Sequence, residues 1–147
     1  MKSVGVSPIV RLACRCMARL IQIFALYVIF HGHYSPGGGF QGGALLAAAV
    51  ILIRIGEGRP VSQVELSSSA TLGIGSFGAL LFGGVGLLAL LGGGNFLQYD
   101  ALPSFGLSPV GLHYWGILVI ELGVALAVMA ILVSIFDVLT EDDESEG

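Results

Sequence analysis

The sequence predicts an all-α, integral membrane fold with four transmembrane helices and both termini cytoplasmic, and three observations lead there. Only six Lys or Arg and ten Asp or Glu occur in 147 residues, against 55% hydrophobic residues and a mean hydropathy of +0.92. Those charges are also segregated. Residues 20–53 and 66–99 contain none, and from Ala101 to Phe136 the sole acid or base is Glu121. Finally, the apolar stretches are continuous instead of alternating, which speaks against a β-barrel. Soluble domains carry roughly 25% charged residues, and a domain of this size still exposes about a third of its unfolded surface. A soluble one-domain enzyme is thereby excluded. So is a nucleic-acid binder, because six basic residues against ten acids cannot neutralise phosphates.

Each span follows from length, since about 20 apolar residues cross roughly 30 Å of hydrocarbon. The first is expected over about residues 8–30, the second over 36–55, the third over 70–91 and the fourth over 112–139, with an acidic tail at 140–147 and a single membrane domain throughout. The first span does not read as a signal peptide, because its arginines continue to Arg19 and no small-residue cleavage site precedes His31. Orientation follows from basic residues. Lys2, Arg11, Arg15, Arg19, Arg54 and Arg59 all fall on the side that receives both termini and the 56–69 loop. The opposite side receives the 31–35 turn and the 92–111 loop and holds none. The tail acids Glu141, Asp142, Asp143, Glu144 and Glu146 contribute little to that rule and read as a frayed, solvated end.

Twenty-three glycines exceed the usual share of about 7% more than twofold. In lipid, small residues let helix backbones approach closely. Gly73, Gly75, Gly78, Gly83, Gly84 and Gly86 in the third span imply several neighbours, hence an assembly with other membrane proteins. Between the first two spans runs Phe30-His-Gly-His-Tyr-Ser-Pro-Gly-Gly-Gly-Phe-Gln-Gly-Gly43. Ser35 followed by Pro36 reads as an N-cap with proline at the first helical position, giving a tight hairpin of about five connecting residues. Gly38 with Gly42, and Gly39 with Gly43, are spaced for small-xxx-small contacts. The triple glycine is not a phosphate-cradling loop, for no Lys-Ser/Thr follows and no strand precedes. The 92–111 loop, with Asn95, Tyr99, Asp100, Pro103 and Pro109, is expected to be ordered along the membrane surface or against a partner.

That turn closely resembles the hallmark of the MnhB/MrpB family, small subunits of Mrp-type multisubunit Na+/H+ antiporters. The resemblance covers most of the chain: four spans, the glycine motif opening the second, and an aromatic start to the fourth (Leu112-His-Tyr-Trp115). It implies a non-catalytic membrane subunit that packs with other subunits, helps form an ion path for Na+ and H+, and resides in the cell membrane. Related subunits serve redox-driven, ion-pumping hydrogenases and sulfur reductases, so either parent complex is implied. A homo-oligomeric channel would need a polar stripe along one helix, and only Glu121 interrupts the helices deeply. A purely structural scaffold is the remaining alternative.

The candidate residues follow from chemistry. Glu121, a carboxylate about 12 Å inside its helix, is a proton-relay or cation-site candidate, or else a structural partner of a neighbouring subunit. His31, His33 and His113 all fall on the outer side and titrate near neutral pH, so they are relay candidates too; capping of loop carbonyls is the plainer role. As metal ligands they form a weak pattern, an HxH with one distant His. Pro36, Gly37, Gly38, Gly39, Phe40, Gln41, Gly42 and Gly43 form a helix-packing motif. Arg11, Arg15 and Arg19 recur every four residues and share a stripe that enters the membrane, there to reach lipid headgroups or an acidic partner. Asp137 is one conceivable partner for Arg11. Cys14 and Cys16 point to opposite sides of the first helix and read as packing residues; no cofactor or metal is expected.

Overall fold

The computed structural model describes residues 7–32, 37–57, 66–103, 106 and 108–145. Lys2, His33, Tyr34, Ser35, Pro36, Arg59 and Glu146 lie outside them. Among the described residues there are four helices, each long and apolar enough to cross a membrane, and no strand. They are α1 (Pro8–His31), α2 (Gly39–Glu57), α3 (Ser68–Leu91) and α4 (Pro109–Ser145), with one short 3-10 turn at Tyr99–Ala101.

The helix ends are set by local chemistry. Ser7 caps α1 by accepting from the Val10 N–H at 3.4 Å, and Pro8 takes the first helical position. Ser67 caps α3 in the same way through the Ala70 N–H at 3.2 Å. At the far end of α3, Gly93 adopts the left-handed region (φ +82), and the Gly93 and Gly94 N–H groups return to the Leu90 and Ala89 carbonyls. That pair of bonds is the Schellman closure, for which glycine carries no Cβ penalty.

Two boundaries differ from expectation. α2 starts at Gly39, not Pro36, because Gly38 has φ +92 and cannot be helical; its carbonyl accepts the first helical bond from the Gly42 N–H at 3.0 Å. α4 starts at Pro109, three residues before Leu112. Ser108 accepts from the Gly111 N–H at 3.2 Å and Pro109 follows it, the same serine–proline signature that the sequence offers at Ser35–Pro36. The far end of α4 also runs to Ser145, so most of the stretch expected to fray is helical.

The helices stand in a row, α1–α2–α4–α3, with α2 and α4 in the middle and little direct contact between α1 and α4. Glycine sets the spacing. A Cβ on Gly39 would collide with the Glu121 carbonyl oxygen, and one on Gly43 would lie 2.5 Å from that of Ala125. One turn further, Ala47 packs with Met129 and Val133. The two helices therefore run parallel and in register, each four-residue step on α2 matched by one on α4. Gly42 faces the other way, where a Cβ would strike the Ile29 side chain of α1. The pairing expected of Gly38 with Gly42 is thus corrected: Gly42 receives α1, whereas Gly38 lies against the Glu121 carboxylate. Between α3 and α4 the contact is glycine on glycine, Gly78 against the Gly123 carbonyl and the reverse. A row buries only the edges that touch. Gly73, Gly83 and Gly84 on α3 accordingly have open space where a side chain would stand.

Candidate functional site

Glu121 is brought to the α1–α2 turn by α4. Its Oε1 atom lies 2.6 Å from where a Gly32 Cβ would be and 3.1 Å from a Gly38 Cβ, while Gly39 packs directly on the Glu121 backbone. Three glycines from the turn thus form the wall around this carboxylate, and its Oε2 is sealed from solvent. Any side chain at Gly32 or Gly39 would displace it. The site also sits at the start of α2, where the first N–H groups lack helical acceptors and the helix dipole favours negative charge. Phe40 and Gln41, next in the motif, point outward and are exposed.

A polar group adjoins this site from the 92–103 loop. The Tyr99 ring lies against Gly116, where a Cβ would meet it at 2.5 Å, and 5.4 Å from the His113 ring. His113 Nδ1 is 3.5 Å from Asp100 Oδ1 and 3.1 Å from the Pro109 carbonyl. Burial raises the Tyr99 hydroxyl above its ordinary value of 10.0, and the negative charge of Glu121 adds to the rise. His31 is elsewhere, stacked on Tyr27 with ring centroids 4.2 Å apart and its Nδ1 3.2 Å from the Tyr27 carbonyl. The structure therefore does not unite His31 with His113, and among the described residues no cluster of His, Cys, Asp or Glu could hold a metal.

At the other end of α2 lie two ion pairs. Arg15 donates through Nε and Nη2 to the two oxygens of Glu57, the Nη2 bond measuring 2.9 Å. Arg54, 2% exposed, pairs with Asp137, 4% exposed, and donates to the Leu66 carbonyl at 3.2 Å. Two expectations are corrected. Asp137 pairs with Arg54 and not Arg11, because α2 and not α1 is the neighbour of α4. Arg15 is met inside the chain, because the hairpin brings the last residue of α2 beside it. Glu57 escapes a reading of the residues alone, although the hairpin register carries the signal: with the turn fixed near His31–Gly39, Arg15 must fall opposite the end of α2. Cys14 lies beside Gly56 in the same contact, and Cys16 is exposed; both are free thiols.

A family model described as a domain related to the MnhB subunit of Na+/H+ antiporter matches residues 9–134. A Na(+)/H(+) antiporter subunit of Alkalihalophilus pseudofirmus is 31% identical over 133 residues, covering 88% of this chain and 89% of the relative. A Na(+)/H(+) antiporter subunit of Bacillus subtilis is 26% identical over 147 residues, covering 92% and 94%. An uncharacterized protein of Methanocaldococcus jannaschii is 32% identical over 105 residues, but the match spans only 39% of its length.

Proposed function

This chain belongs to the family related to the MnhB subunit of Na+/H+ antiporters, and from that premise we propose that Glu121 exchanges protons or cations along the ion path of its complex. The protein is a multi-pass membrane subunit of a multisubunit antiporter in the cell membrane. Its working partners are the other subunits and the bilayer, and its ions are Na+ and H+. It carries no reaction of its own.

The observation that carries the reading is the glycine wall around Glu121. Arg15 and Arg54 hold the carboxylates of Glu57 and Asp137 at one end of α2. At the other end, Glu121 is enclosed by backbone that only glycine permits. A carboxylate in a membrane helix is costly and usually faces protein or water. Held away from bulk water, such a group can take up a proton and give it back. Tyr99, Asp100 and His113 add polar groups on the loop side of this carboxylate. His31, next to Gly32, is a further candidate for collecting protons, and so is His33, which lies outside the described residues.

The test is Glu121→Gln, with Glu121→Asp beside it, in the assembled complex. Na+/H+ exchange in membrane vesicles is expected to fall at least tenfold in Glu121→Gln at unchanged complex yield, with partial recovery in Glu121→Asp. Undiminished exchange would eliminate the relay. Loss of the complex itself would assign Glu121 to structure instead.

A further inference from the structure

Arg11, Arg15 and Arg19 follow one another at four-residue steps, and four residues advance about 40° beyond a full turn of an α-helix. The stripe therefore winds around α1 as it deepens. Ala18, Ala25 and Ile29 mark the covered face. Arg15 sits at its flank, where Glu57 meets it. Arg19, one turn deeper and further round, is exposed on the outside of the row.

Depth makes that position unusual. Arg19 adjoins Ala18, which packs with Ala49 and Ile53 of α2. Cys14 lies beside Gly56 and Ala18 between Ala49 and Ile53, so Arg19 stands opposite about residue 51 of α2, about 4.5 Å deeper than Arg54. Among the described side chains the nearer carboxylates are taken: Glu57 binds Arg15 and Asp137 binds Arg54, while Glu121 is at the opposite end of α2. Arg15 and Arg54 are met by carboxylates and not left to headgroups. Around Arg19, the exposed residues Leu12, Cys16, Ile23, Leu26 and Phe30 complete a strip with alternating spacings of four and three. Arg19 is its one charge. That spacing is the seam along which a second helix packs, and a guanidinium is shaped for two parallel bonds to a carboxylate.

We propose that this strip of α1 seats a membrane-spanning helix of another subunit, and that the helix brings an Asp or Glu carboxylate to Arg19. The inference rests on the multisubunit reading above and is independent of what Glu121 does.

The experiment uses the assembled complex. With Cys14 replaced by Ala, a thiol-anchored photo-crosslinker on Cys16, one turn from Arg19, is expected to join the chain to a membrane helix with an Asp or Glu within one turn of the adduct. Arg19→Glu is expected to reduce co-purification of that subunit at least tenfold, with recovery when its carboxylate is exchanged for Arg. Met17→Ala, exposed on the same helix outside the strip, is the control and should leave the yield unchanged. An adduct with phospholipid alone, or full co-purification of Arg19→Glu with loss of bound anionic lipid, would overturn the inference in favour of headgroup snorkelling. If the chain carrying Arg19→Glu is degraded, the crosslink in the Arg19-containing complex still decides. If that complex contains no other subunit at all, the multisubunit reading fails first, so the two failures are told apart.

Discussion

Breaking the Arg54–Asp137 pair tests whether the row is held together by a charge or merely tolerates one. In Arg54→Met the Asp137 carboxylate would stay 4% exposed with its cation gone. Removing one partner of a buried ion pair costs about 3–5 kcal/mol, because a buried charge is left uncompensated. That is roughly a hundred- to several-thousand-fold in the folded-to-unfolded ratio. Asp137→Leu should cost the same, stranding Arg54. Replacing both removes both desolvation penalties and is expected to be close to neutral. The recovery stops short in one respect. Arg54 also donates to the Leu66 carbonyl at 3.2 Å, and the double variant loses that bond, worth about 1 kcal/mol net. The double variant should therefore sit about 1 kcal/mol below the parent, and far above either single. Unfolding of the purified chain in mixed micelles by SDS titration measures all four corners of the cycle. Single losses of under about 1 kcal/mol, the size of an exposed pair, would refute the reasoning, as would a double variant as poor as the sum of its parts.

Three further outcomes follow from the packing. Gly43→Leu should open the α2–α4 contact and cost at least about 1–3 kcal/mol, the usual range for overpacking, since the first added atom already lies 2.5 Å from a carbonyl oxygen; Gly83→Ala, with open space around it, should be neutral in the same SDS titration. Gly116→Ala should displace the Tyr99 ring, whose atoms lie 2.5 Å from the added carbon, and raise proteolysis of the 92–103 loop without changing helix content by circular dichroism. Tyr99 should ionise later than an ordinary tyrosine, because its hydroxyl is raised from 10.0 by burial and by Glu121. The neutral form is the one favoured in the folded chain, so its stabilising effect is complete below pH of about 10 and is lost as pH rises through the elevated value. Tyr99→Phe should remove that alkaline loss, as followed by thermal unfolding across pH of about 9 to 12.

How much of this can be read from residues alone depends on the range of the interaction. Spans are legible because the bilayer imposes its length on every helix independently, and the caps because serine and proline act within four residues. Even so, Ser108–Pro109 carries the same signature as Ser35–Pro36 and goes unread, and Gly38 moves a helix start by adopting a conformation that composition does not announce. Glu121 stands out because it is the sole acid or base from Ala101 to Phe136. What it touches does not, since the approach of Gly32 and Gly38 depends on how far two hairpins are staggered. The same stagger hides Glu57 and Asp137. Both read as ordinary polar ends of helices, and their partners emerge only once α2 is known to stand between α1 and α4. The glycine spacing announces close contacts; it cannot say that Gly39 and Gly43 face one helix and Gly42 another.

The stagger has an electrical consequence. Glu121 and Asp137 are separated by sixteen residues of α4, about 24 Å of helix, and Gly43, Ala47, Ala125 and Val133 fill the space between with no charge at all. On the turn side, α4 continues twelve residues from Glu121 back to Pro109, about 18 Å of helix. A unit charge gains or loses about 2.3 kcal/mol per 100 mV over the full field. For an ion exchanged at Glu121, that work is divided between two legs of comparable length, and voltage would act on both.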